Sequence, residues 1–110
     1  MSDRDDSVYI QDIITSIEAI QSYTSNISEI DFSNNQMLQD AAIRRFEIIG
    51  EAATHISQPY RDQHPEIEWR LMADMRNKLI HEYFGVSSKT IYQTIHANLP
   101  DLKATLLAIL

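Results

Sequence analysis

The chain has no cysteine among its 110 residues. That excludes disulfides, thiolate nucleophiles and cysteine-ligated zinc or iron–sulfur sites. Glycine is almost as scarce, with only Gly50 and Gly85. Strand-type alternation of apolar and polar residues is also lacking, and together these absences point to an all-α chain. No apolar run approaches the roughly 18 residues that a spanning helix needs. The start, "MSDRDDSVYI", is acidic where a signal peptide would be basic and then apolar. The expectation is therefore a cytoplasmic protein with no membrane association. A chain of this size supports one modest core, so residues 1–110 are expected to form a single domain.

Positive charge is missing from one part of the sequence in particular. Residues 1–40 carry eight acidic groups and one basic group, whereas residues 41–110 carry eight of each, so the formal charge of -7 is entirely N-terminal. This argues against tight non-specific nucleic-acid binding, which depends on lysine and arginine contacts to phosphates. It leaves room for a locally basic pocket in the second half, because exposed charges are screened beyond about 10 Å.

In "VYIQDIITSIEAIQSY" the isoleucines at 10, 13, 14, 17 and 20 recur at helical spacing and predict a first helix over residues 8–23. The polar stretch "TSNISEIDFSNN" reads as a connector. Ser33 or Asn34 then caps a long second helix that runs to Ile56 and buries Leu38, Ala41, Ala42, Ile49, Ala52, Ala53 and Ile56. Gly50 falls inside that helix, where it costs about 1 kcal/mol relative to alanine, so its expected use is the close approach of another helix. "SQPYRDQHPEIEW" ends the long helix. Pro65, with Glu66 and Glu68, reads as the start of a third, which carries Trp69, Met72, Met75 and Leu79 and stops at Gly85. A fourth helix is capped by Ser87 or Ser88. Pro100 opens a short fifth whose Leu102, Leu106 and Leu107 close the core of a four- to five-helix bundle.

The residues that carry chemistry concentrate in "MRNKLIHEYFGV", 75–86. A histidine exchanges protons near neutral pH, and a guanidinium offers a permanently charged fork of donors matched to phosphate oxygens. Together, His81 and Arg76 meet the needs of RNA cleavage by the 2′-hydroxyl: proton transfer, and a fixed positive charge for the phosphorane-like transition state, with no metal or other cofactor. Asn77 could hold His81 or a phosphate oxygen, and Tyr83 could stack on a base or hydrogen-bond the scissile group. Arg76 and His81 are five positions apart, which is about 140° on a helix, so one copy alone spreads them widely. That geometry favours a broad cleft, shared between two subunits. The plainer reading is a solvated helix end, since basic side chains are favoured near a C-terminus by the dipole alone.

Other candidates carry less. Glu47, Glu51 and His55 form one helical stripe, but the Glu-x-x-His pairs of a di-iron bundle are absent, and "HEYFG" lacks the second histidine of a zinc-protease helix. Glu51 reads instead as an acceptor near the motif, for Arg76. Arg44 and Arg45 read as a solvated face, His64 and His96 as cap or surface residues, and Trp69 as a core or interface anchor.

The motif also resembles a known family. "RNKLIHEYFGV" fits the R-x4-H-x-Y form of the HepT toxins, members of the HEPN superfamily that occur in type VII HEPN/MNT toxin–antitoxin pairs. "AAIRRFEIIGEAATHIS" and "HPEIEWRLMADMRNKLIHEYFGV" are similar to the surrounding family sequence, and the likeness spans residues 8–107. The resemblance implies an all-α HEPN bundle that forms a homodimer with motif helices facing each other, so that two copies of Arg76 and His81 line one groove. It implies a metal-independent ribonuclease, with tRNA a possible target and a 2′,3′-cyclic phosphate product. It also implies a partner, an MNT nucleotidyltransferase antitoxin that transfers AMP onto Tyr83, placing negative charge and bulk beside Arg76. The alternative within the same fold is a non-catalytic module that binds nucleotide or a partner in that groove.

Overall fold

A computed structural model describes residues 5–81 and 87–110, leaving aside the side chains of residues 79–81. Six helices run through these residues: α1 (Asp6–Thr24), α2 (Glu29–Ser33), α3 (Gln36–His55), α4 (Gln58–Gln63), α5 (Trp69–His81) and α6 (Ser88–Ile109). The all-α expectation holds.

The isoleucine stripe of α1 is the centre of the core, with Ile10, Ile13, Ile17 and Ile20 sealed completely and Ile14 nearly so. At roughly 2 kcal/mol for each buried isoleucine, this stripe contributes on the order of 10 kcal/mol of gross burial energy. It packs on α3, which in turn packs on α5, and α6 packs on α1 as well. Long-range contacts fix the directions. Asp6 at the start of α1 accepts hydrogen bonds from Ser57 N–H (2.9 Å) and Ser57 Oγ–H (2.6 Å), just past the end of α3. Lys103 of α6 reaches Glu18 of α1 at 3.3 Å, and Tyr92 near the start of α6 donates to the carbonyl of Ile27 at 2.9 Å. Neighbouring long helices are thus antiparallel.

Several boundaries differ from the sequence expectation, each for a local reason. The connector after α1 contains a short helix, α2, because Ser28 caps it by accepting from Asp31 N–H (3.1 Å) and Phe32 is fully buried against the Tyr92 ring. The cap of α3 is accordingly Asn35, accepting from Leu38 N–H at 3.0 Å, rather than Ser33 or Asn34. Within α3, Leu38 and Ala41 are only half-buried, and Phe46, not expected in the stripe, is sealed in the core. "QPYRDQ" forms α4 under a Ser57 cap, with Pro59 in its first turn where the missing N–H costs nothing.

Pro65 does not begin a helix. Residues 65–68 form a turn, and α5 starts at Trp69. Pro100 likewise opens no separate helix: α6 passes through it unbroken, with the proline on the exposed face while Leu99 and Leu106 point inward. Continuing that helix leaves Leu102 half-buried and Leu107 50% exposed, so Leu107 does not close the core. Ser87 is the α6 cap, accepting from Thr90 N–H at 3.2 Å. The expected stop at Gly85 lies outside the described residues. Among the described residues, no helix is long and apolar enough to cross a membrane.

Candidate active site

The first turn of α5 is tied down before the motif begins. Trp69 is buried and its indole N–H donates to the carbonyl of His64 at 3.0 Å, while Ile67 and Met72 enter the core on either side. Trp69 is a core anchor, and His64, as the C-cap of α4, supplies the acceptor that orients it. These contacts fix the register of α5 against α3.

That register brings Arg76 directly onto Gly50. A Cβ built on Gly50 would overlap Arg76 Cβ and lie 2.6 Å from its Cγ and 3.1 Å from its Cδ. Carbon atoms pack best at about 3.5–4.0 Å, so no side chain fits there. The close helix approach expected for Gly50 is present, and the partner it admits is the arginine of the motif. The aliphatic stem of Arg76 is pressed against the α3 backbone, and its side chain keeps only 33% exposure.

The guanidinium is held in several directions. Nη2 faces Glu51 Oε2 at 3.7 Å, an ion pair too long for a hydrogen bond, and Nη1 donates to Asn77 Oδ1 at 3.0 Å. Glu51 therefore stands where an acceptor for Arg76 was expected. Asn77 braces the arginine through Oδ1, and its expected contact with His81 involves a side chain outside the described residues. Arg76 Nε is buried with no hydrogen-bond partner among the described residues. A permanently charged, partly desolvated guanidinium suits an anionic oxygen better than a neutral ligand.

Helix α5 continues through His81, so the spacing that separates Arg76 and His81 by about 140° on the backbone is preserved. The His81 side chain and all of Tyr83 lie outside the described residues. Elsewhere, Arg44 is exposed and pairs with Glu47 at 2.7 Å, in keeping with a solvated face. Arg45 differs: its Nε donates to the Tyr23 hydroxyl at 3.3 Å, tying α3 to α1. His96 is a surface residue whose ring tilts against Tyr92. Among the described residues, no group of three or more His, Asp or Glu side chains is arranged to hold a metal ion.

One neighbour of the site was not legible as such. His55, one turn beyond Glu51, places Nε2 3.3 Å from Glu51 Oε1 and stacks on the Tyr9 ring of α1. The Glu51–His55 spacing of four was a usable signal, whereas the contact with Tyr9 spans two helices and leaves no local trace.

Residues 13–109 match the profile of a protein family described as "Ribonuclease HepT-like". Relatives include "Probable ribonuclease HepT" of Thermococcus cleftensis, 45% identical over 95 residues that make up 86% of each chain. A protein of Methanocaldococcus jannaschii provisionally named RNase MJ1380 is 36% identical over 94% of both chains. A longer protein from the same organism, named for both gamma-glutamylcyclotransferase and RNase, is 39% identical over 97% of this chain, which spans 48% of it. No solved structure gives a significant match.

Proposed function

The chain belongs to the HepT-like ribonuclease family, and on that premise we propose that it is the toxin of a HEPN/MNT pair, cleaving RNA without a metal through Arg76 and His81. The observation that carries this reading is the seating of Arg76: a glycine admits its stem, Glu51 and Asn77 orient its fork, and one buried donor has no partner among the described residues. A helix end serving only solubility has no need of such a socket.

In the reaction the 2′-hydroxyl oxygen attacks the adjacent phosphorus, the bond to the 5′-oxygen breaks, and a 2′,3′-cyclic phosphate remains. Arg76 stabilises the charge that builds on the non-bridging oxygens, and His81 moves the proton. Two copies of the motif helix in a homodimer would supply two imidazoles, one to accept the 2′-hydroxyl proton and one to protonate the leaving oxygen. The MNT nucleotidyltransferase would silence the site by transferring AMP onto Tyr83, whose added phosphate competes for Arg76 and repels substrate.

The test is cleavage of a tRNA pool by the purified protein in EDTA, with the product ends analysed. The wild type should leave cyclic phosphate ends, and Arg76→Ala should lower kcat by about 10²–10³, the usual cost of losing one oxyanion-stabilising donor. Full activity in Arg76→Ala or His81→Ala overturns the assignment. Binding of nucleotide without any cleavage would instead favour the non-catalytic module. Co-expression with an MNT-type nucleotidyltransferase should add AMP to the intact mass of the wild type and not to that of Tyr83→Phe.

A further inference from the structure

The carboxylate of Glu51 has two partners, one on each oxygen. Oε2 faces Arg76 Nη2 at 3.7 Å, and Oε1 faces His55 Nε2 at 3.3 Å. A carboxylate only accepts, so the contact with His55 is favourable only when Nε2 carries a hydrogen. The imidazole is itself located from the far side: its ring lies on that of Tyr9, with centroids 5.3 Å apart and planes 15° from parallel. A continuous line of contacts therefore runs from Tyr9 on α1, through His55 and Glu51 on α3, to Arg76 on α5.

The second partner matters because the first is weak. Glu51 is 57% exposed, and an exposed ion pair contributes little while its long side chain still samples other rotamers; His55, itself 52% exposed, adds its restraint through the stack on Tyr9 as well as through Nε2. Alone, Glu51 would orient Arg76 poorly. Anchoring its other oxygen removes rotamers before the guanidinium arrives, which is the way a supporting shell tightens a site. The remaining charged groups of this groove are Asp12, Arg44 and Glu47. Arg44 is engaged with Glu47, so His55 is the group in contact with the free side of the Glu51 carboxylate.

We propose that His55, held by Tyr9, is a positioning residue for RNA cleavage that acts through Glu51 on the guanidinium of Arg76. The inference rests on the cleavage reading above, and its test separates the two. In the full-length protein, His55→Ala should lower kcat about tenfold with KM changed less than twofold, since orientation is lost where charge develops and not where substrate docks. His55→Gln, which can still offer an N–H to Glu51, should recover most of the rate. His55→Ala in a Glu51→Ala background should add nothing, because the line is already cut.

A readout independent of turnover is the Nε–Hε resonance of Arg76 in ¹⁵N-labelled protein, which His55→Ala should shift or broaden and His55→Gln should restore. An unchanged kcat in His55→Ala, or losses that add to those of Glu51→Ala, overturns the positioning role while leaving the nuclease reading intact. If the wild type cuts no RNA, or Arg76→Ala cuts as well as wild type, the nuclease reading fails. The resonance then decides alone: unmoved by His55→Ala, it overturns the link, and moved, it supports it.

Discussion

Replacing Gly50 by alanine tests the link between helix packing and the site most directly. On an exposed helix the change would stabilise by about 1 kcal/mol through propensity. Here the new methyl overlaps Arg76 Cβ and lies 2.6 Å from Cγ, so α5 must move outward or Arg76 must leave its groove. Overpacking costs typically 1–3 kcal/mol, and a contact against Cβ, which cannot swing aside, belongs at the upper end. The net expectation is a loss of about 2 kcal/mol, or a fall in Tm of about 8 °C at roughly 4 °C per kcal/mol. Thermal unfolding by circular dichroism measures it, alongside RNA cleavage, which should fall more than about tenfold as the guanidinium is displaced. A double variant sharpens the attribution. Gly50→Ala with Arg76→Gly removes the opposing Cβ and should recover about 1–2 kcal/mol of coupling energy, whereas Gly50→Ala with Arg76→Ala keeps that Cβ and should recover less. A Gly50→Ala protein with an equal or higher Tm and normal cleavage would refute the close-approach argument.

Three other perturbations have clear signs. Asp6→Ala removes both acceptors of Ser57 and should cost about 1–3 kcal/mol in urea unfolding; no change in midpoint would mean that the latch between α1 and α4 is not formed in solution. Trp69→Phe deletes the hydrogen bond to His64 and part of a buried ring, and a loss of about 1–3 kcal/mol is expected by the same assay. Pro100→Ala restores a backbone donor on the exposed face of α6 and should raise stability by about 1–3 kcal/mol; a lower Tm would show that the proline has a packing role.

The parts of the fold that were legible in the sequence are those set by long periodic runs. The isoleucines of α1 and the small residues around Gly50 each repeat over several turns, and burial forces the repeat. Short helices left weaker marks. At five and six residues, α2 and α4 are below the length that forms unaided, so they exist because Phe32 is buried and because Ser28 and Ser57 cap them. Pro100 was ambiguous for a related reason, since a proline is compatible with both a first turn and a solvent-facing interior position, and only packing on α1 decides. In the site, Glu51 and Arg76 were connectable from helix faces alone. Nothing local announces Tyr9, because its partner His55 lies 46 positions away and the pairing depends on how α1 crosses α3.

Helix α5 rests chiefly on α3, whereas α1 packs on both α3 and α6. Native-state hydrogen exchange should consequently reveal two tiers, with the amides of α1 exchanging only on global unfolding and those of α5 through a cheaper opening that leaves the rest folded. The arginine socket would come apart in that opening, because half of it is α3 and half is α5. Any ligand that bridges the two helices would then raise the protection of α5 selectively, so the slow amides of one helix would report occupancy of the site.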